Sequence, residues 1–216
     1  VDDEDDIAHG DMFAPGVARA LDPAVERGLR FFEEGHFAEA CEGGGFTHVV
    51  SILDGAAQPP AWPTRLAATL RLNLRFDDAL AATTETALFA DADVDALTGF
   101  ADQVAGADEP SLLLHCSYGM SRSTACAAIM HAHLAQDLSG VAIFTEILKL
   151  RDITWPNLRI VEVGDRRLGR GGDLIAGAKA IYRHQLARHP ERAEELTRVG
   201  RGREVEAAAD GALIEL

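Results

Sequence analysis

Three short apolar runs, each bounded by turn-forming residues and separated by stretches of helical periodicity, restrict the fold of this chain more than any other feature. Thr47, Val49, Val50, Ile52 and Leu53 form a β-branched, apolar run between Gly43-Gly44-Gly45 and Asp54, the pattern of a buried strand. Leu70, Leu72, Leu74 and Phe76 alternate with Arg71, Asn73 and Arg75, a period of two that stops at Asp77-Asp78. A third run, Ser111-Leu112-Leu113-Leu114-His115, is short and almost wholly apolar. Between the second and third, Val94, Leu97, Ala101 and Val104 recur at helical spacing, with Asp91 and Asp93 placed to meet the positive end of a helix. Further helices are expected from about Arg122, with Cys126, Ile129, Met130 and His133 on one side; from Ser139-Gly140, with Val141, Phe144 and Leu148; and after a glycine-rich turn at 169–172, with Ile175, Ala178, Tyr182 and Leu186. Strands alternating with helices predict a single α/β domain. Its core is a central, mostly parallel sheet of about four to five strands flanked by helices.

The 216 residues suit one such unit, which the pattern places at 36–190. Residues 1–35 are acidic and punctuated by Gly10, Pro15, Gly16 and Pro23, and are expected to be partly irregular; 191–216 read as a polar, weakly docked tail. A short helix is expected at 37–42, and Gln58-Pro59-Pro60-Ala61-Trp62-Pro63 reads as a loop because its prolines remove donors. Lys and Arg number 20 against 35 Asp and Glu, a net charge of −15, which argues against nucleic acid or an anionic membrane as the main partner. The imbalance is confined to one half: residues 1–115 carry 6 basic and 22 acidic side chains, whereas 116–216 carry 14 and 13. A site for an anion is therefore sought in the second half. Three cysteines without a pairing pattern, an acidic first segment and no long apolar stretch are read as a reduced, cytoplasmic protein with no membrane span.

One segment carries chemistry. In His115-Cys116-Ser117-Tyr118-Gly119-Met120-Ser121-Arg122-Ser123 an expected strand passes into an expected helix through a loop that opens with Cys and closes with Arg six positions later. Successive backbone N–H groups of such a loop, with the N-terminus of the following helix, converge on a small volume and make an anion cradle. Gly119 permits the positive φ that a tight cradle needs. Arg122 adds a planar fork of donors matched to two oxygens of a tetrahedral oxyanion, which lysine would not reproduce. A cysteine at the base of that cradle lies in the field that favours thiolate chemistry, placed for in-line attack on a bound phosphate. Ser123 is placed to hydrogen-bond the sulfur as a leaving group.

The run His115-Cys116-x5-Arg122-Ser123, with its glycine, preceding strand and following helix, resembles the signature of the cysteine-dependent protein-tyrosine and dual-specificity phosphatases. The resemblance extends more weakly over roughly 46–183 and is nearest to small bacterial phosphatase-like proteins. It implies a protein-tyrosine-phosphatase-like fold and a cysteinyl-phosphate intermediate on Cys116, with no cofactor and no metal. Substrate contacts would come from Ser117, Tyr118, Gly119, Met120 and Ser121, and His115 would support the loop. By the same resemblance the loop after the second strand carries the general acid, Asp77 or Asp78, with Asp78 favoured, and Pro156-Asn157 supplies further support from Asn157. The implied partner is a phosphorylated protein or a small phosphomonoester.

Other features are read more plainly. Asp91-x-Asp93-x-Asp95 has the start of a calcium loop but lacks its glycine and final glutamate, so helix capping is the simpler account. Cys126 is expected to be core, and Cys41 is a conceivable resolving thiol for Cys116. The arginines between 183 and 203 are interleaved with glutamates, as on a solvated helix. Three other activities compete with a tyrosine or dual-specificity phosphatase. An inositol-phosphate or phosphoinositide phosphatase is disfavoured because the residues between Cys116 and Arg122 carry no charge. A phosphate-binding pseudophosphatase would follow if neither Asp77 nor Asp78 approached the site. Sulfur transfer through a Cys116 persulfide is disfavoured by His115 and Ser123.

Overall fold

The computed structural model of the chain describes residues 30–33 (backbone only), 45–55, 57 and 69–214. Among the described residues, four parallel strands form one sheet: β1 (Arg30–Glu33), β2 (His48–Leu53), β3 (Leu70–Arg75) and β4 (Leu112–Cys116), in the spatial order β1-β4-β2-β3. The last of these strands in sequence is therefore inserted between the first two, and the loop that follows it, from Cys116 to Arg122, leaves from the middle of the sheet. β2 and β4 are buried along their whole length, which explains why their sequences are apolar on both faces rather than alternating. β3 lies at the edge and keeps its polar alternation, with Leu74 buried and Asn73 and Arg75 exposed. The α/β class and the parallel sheet agree with expectation, and the strand number lies within it.

Among the described residues there are seven helices, of which four follow the pattern of the sequence and three are additions. α1 (Asp91–Ala105) buries Val94, Leu97, Phe100, Ala101 and Val104, and Asp93 accepts the Ala90 N–H at 2.8 Å to close its first turn. α2 (Arg122–Leu134) starts at the end of the phosphate-type loop and is enclosed on nearly every side, so it is the central helix of the core. α3 (Gly140–Leu150) is capped by Ser139, whose hydroxyl accepts from the Ala142 N–H. α4 (Leu158–Leu168) has no counterpart among the sequence expectations. It is capped by Asn157 and carries Gly164 at the point where the Ile129 side chain fills the space a Cβ would need, together with a buried Asp165, so its apolar stripe is interrupted. Asp165 accepts from the N–H groups of Gly172 and Leu174 and so caps the next helix, α5 (Asp173–Arg188), from outside.

Residues beyond 190 require a correction. They are not a weakly docked tail: α6 (Arg192–Arg198), α7 (Gly202–Ala207) and a 3₁₀ turn (Ala208–Asp210) continue the domain. Glu204 in α7 is fully buried, and Gly211 packs so closely on α5 that a Cβ there would overlap the Lys179 carbonyl. The expectation failed because the segment docks through a buried ion, a close backbone contact and a few scattered apolar residues (Leu196, Val205, Ala207, Ala208 and Ile214) rather than a periodic apolar stripe. The acidic stretch at 1–29, the helix expected at 37–42, Cys41 and the proline loop at 58–63 lie outside the described residues. Among the described residues no helix is long and apolar enough to cross a membrane.

Candidate active site

Parallel α/β sheets place ligands at the carboxyl ends of their strands. Here the ends of β2, β3 and β4 converge, and they deliver Asp54, Phe76 to Asp78, and the loop from Cys116 to Arg122. The β2–β4 register sets Ser51 beside His115, and the Ser51 hydroxyl and His115 Nε2 are 2.6 Å apart. Both side chains are fully buried, and burial pushes the imidazole down to about 4, so His115 is neutral at pH 7 and locks the start of the loop to β2.

Gly119 has φ 64°, the left-handed conformation that the sequence reading required there. Cys116 is almost entirely buried at its base, with Sγ 3.4 Å from the Ser123 hydroxyl oxygen. Arg122, 2% exposed, lies across the site: Nη1 donates to the Phe76 carbonyl at 2.9 Å and to Asp54 at 2.6 Å, and Nη2 donates to the Ser117 hydroxyl at 2.8 Å. Its Nε–H is buried and has no hydrogen-bond partner among the described residues. The backbone N–H groups of Ser117 to Ser121 likewise donate to no acceptor among the described residues. Of these donors the Arg122 Nε–H is buried, and buried polar donors are nearly always satisfied, so an unsatisfied one on the loop that opens with Cys116 has the pattern of an anion site.

The remaining loop side chains divide by direction. Tyr118 stands at the rim, 69% exposed, and its carbonyl accepts from Arg151. Met120 packs against the core, and its carbonyl accepts the Trp155 N–H. Ser121 is buried and turned away from solvent, its hydroxyl donating to Asp78 Oδ1 at 2.9 Å. For Met120 and Ser121, therefore, only the backbone is free to meet an anion.

The two aspartates after β3 have different surroundings. Asp77 is used up as a loop tether, accepting the N–H groups of Gly55 and Ala87. Asp78 adjoins the phosphate-type loop: Oδ1 accepts from Ser121 and from Asn157 Nδ2 at 2.7 Å, while Oδ2 faces Arg201 Nη1 at 3.3 Å. Asn157 thus caps α4 with its oxygen and holds Asp78 with its nitrogen. Asp91 and Asp95 pair with Arg166 and Arg167 of α4, and Asp93 turns back to its own helix, so the three aspartates do not converge. Cys126 is fully buried in the core, where burial pushes its thiol well up.

Sequence reasoning missed Asp54, Arg201 and Glu204. A signal for Asp54 existed, since it ends a buried strand as Asp77 does, but its neighbour could not be known without the strand order. Arg201 and Glu204 left no signal, being polar residues in a polar stretch.

No family model matches the chain, and no curated protein matches it. Comparison with solved structures does find likenesses. Human DUSP28 superposes with a TM-score of 0.50 at 17% identity over 66% of this chain and 92% of that one. Human tyrosine phosphatase-like serine/threonine/tyrosine-interacting protein gives 0.49 at 17% identity, over 68% and 93%. Tk-PTP in the active form gives 0.49 at 18% identity, over 70% and 98%. The chain has the fold of the cysteine-dependent tyrosine and dual-specificity phosphatases.

Proposed function

We propose that the protein is a phosphomonoester hydrolase working through a cysteinyl-phosphate intermediate, with a phosphotyrosine or dual-specificity substrate as the default. The observation that carries this reading is the set of unpartnered donors, the buried Arg122 Nε–H and the amides of 117–121, on the one turn that begins at the buried Cys116. Those donors fit the equatorial oxygens of a phosphoryl group, whose charge they would stabilise as it develops in transfer.

In the first step the Cys116 thiolate forms an S–P bond as the P–O bond breaks, and that electron pair stays on the leaving oxygen. Asp78 Oδ2 supplies the proton that the leaving oxygen takes up; Oδ1 accepts two short hydrogen bonds, from Ser121 and Asn157, whereas Oδ2 meets only Arg201 Nη1 at the longer 3.3 Å, so Oδ2 is the oxygen left to carry it. In the second step the Asp78 carboxylate removes a proton from water, which attacks phosphorus; the S–P bond breaks and the pair returns to sulfur. Ser123, in contact with Sγ, stabilises the departing thiolate. Asp54 holds Arg122 from the open side and, at 53% side-chain exposure, is able to yield to an incoming phosphate. The uncharged loop offers nothing for a second phosphate, which favours single phosphomonoesters over inositol polyphosphates.

The test is hydrolysis of p-nitrophenyl phosphate in excess EDTA by the full chain, with vanadate as inhibitor. Turnover that vanadate blocks and Cys116→Ser abolishes supports the proposal. Binding of vanadate without turnover supports a pseudophosphatase instead, and full activity in Cys116→Ser defeats the mechanism. A panel of phosphopeptides and phosphoinositides then assigns the substrate class.

A further inference from the structure

Arg201 begins α7, nearly the whole length of the domain away in sequence from the loop after β3, yet its side chain ends in the candidate active site. Nη1 donates to the Ser121 hydroxyl at 2.9 Å and faces Asp78 Oδ2 at 3.3 Å. Nε and Nη2 make a two-pronged contact with Glu204, at 2.7 and 2.8 Å. Glu204, fully buried, also accepts from Trp155 Nε1 at 2.5 Å and from the Leu158 N–H at 2.9 Å, and Trp155 in turn donates its N–H to the Met120 carbonyl. One ion pair thus ties together the C-terminal helix, the segment entering α4, the end of the phosphate-type loop and the candidate acid. Burial opposes the charge on Arg201, but hydrogen bonding to Glu204 and the nearby Glu204 and Asp78 carboxylates outweigh it and hold the guanidinium firmly protonated.

A buried ion pair of this kind is poor evidence of added stability, because desolvation offsets much of its attraction. Well-packed apolar residues of similar volume often hold such a contact as well. What the pair supplies is a fixed cation beside one carboxylate oxygen. On the reading above, that oxygen, Oδ2, gives up a proton and gains charge as the leaving group departs, then takes a proton from water. We propose that Arg201 is a positioning residue of the phosphatase reaction: anchored by Glu204, it fixes Asp78 against Ser121 and stabilises the charge that appears on Asp78 during proton transfer. The C-terminal helix α7 is then part of the catalytic apparatus and not an appendage of the fold.

This inference rests on the proposed phosphatase activity, and the experiment separates the two. The full chain, Arg201→Gln, Arg201→Lys and each of these in an Asp78→Asn background are assayed on p-nitrophenyl phosphate, whose phenolate leaves with little help, and on phenyl phosphate, whose leaving group needs a proton. If the unaltered chain turns over neither ester, the phosphatase reading fails and the role of Arg201 falls with it. Given turnover, the ratio of kcat/KM (which reports only the steps through formation of the cysteinyl-phosphate) on p-nitrophenyl to phenyl phosphate should rise about tenfold or more in Arg201→Gln, the scale of an impaired acid. Arg201→Lys, which keeps the cation but loses the fork, should recover part of that ratio, and in Asp78→Asn neither substitution should change it further. An equal loss on both esters in Arg201→Gln, or a rise in the ratio that persists in Asp78→Asn, overturns the proposal. Should Arg201→Gln fail to fold, Arg201→Lys carries the same test: a raised ratio that Asp78→Asn abolishes supports it, and an unchanged ratio overturns it.

Discussion

His115 makes stability depend on pH, with a sign and size that follow from its surroundings. It is fully buried on the strand that delivers Cys116, and burial lowers it from the ordinary 6.5 to about 4. Between those two values an unfolded chain binds a proton that the folded chain refuses. Unfolding is therefore favoured as pH falls: the stabilisation is complete above about pH 6.5 and is lost progressively as pH drops towards 4. A difference of about 2.5 units corresponds to about 3 kcal/mol, a large share of the total stability of a domain this size. His48 and His184 are lowered by burial too and act in the same direction, so the slope of the unaltered protein alone is not diagnostic. Comparison with His115→Asn isolates the one residue, because asparagine cannot titrate and still offers Ser51 a polar partner. Urea unfolding followed by circular dichroism at intervals from pH 4.5 to 7.5 gives the two curves. They should converge as pH falls, the substitution costing most near neutrality. Parallel curves would refute the argument, since His115 would then titrate alike in folded and unfolded chains.

Other outcomes follow from the same geometry. Arg122→Lys, which cannot reproduce the contacts to Phe76, Ser117 and the anion together, should lower kcat on p-nitrophenyl phosphate by about a hundredfold or more and weaken vanadate inhibition in parallel. Asp78→Ala should slow turnover of phenyl phosphate about a hundredfold, whereas Asp77→Ala, which frees the Gly55 and Ala87 amides, should instead lower the thermal midpoint with a smaller effect on rate. Gly177→Ala places a methyl group against the Gly140 carbonyl where α3 and α5 cross, and should cost about 1–3 kcal/mol in denaturant titration.

How much of this was legible in the sequence depends on how local each feature is. The phosphate-type loop could be read because strand, cysteine, glycine, arginine and helix succeed one another within a few residues, and the backbone alone brings them together. The central strands could be read because burial on both faces leaves β2 and β4 largely apolar, with His48, Ser51 and His115 the exceptions. Asp54 could not, since only the insertion of β4 beside β2 brings it to Arg122. α4 was concealed by Gly164 and Asp165, which break its apolar stripe for reasons that lie on α2 and α5. The Arg201–Glu204 pair was hidden most completely. Buried charges look like surface charges until their partners are known, and those partners, Asp78, Ser121 and Trp155, are scattered through the chain.

The central claim is that the sulfur of Cys116 takes the phosphoryl group within the cradle formed by residues 116–122. The most direct measurement is acid quenching of the full chain during turnover of p-nitrophenyl phosphate, followed by peptide mass spectrometry. The account predicts one phosphoryl group on the peptide bearing Cys116, absent from Cys116→Ser and accumulating further in Ser123→Ala, where departure of the thiolate is slowed. A phosphoryl group on any other residue, or undiminished turnover in Cys116→Ser, would contradict it.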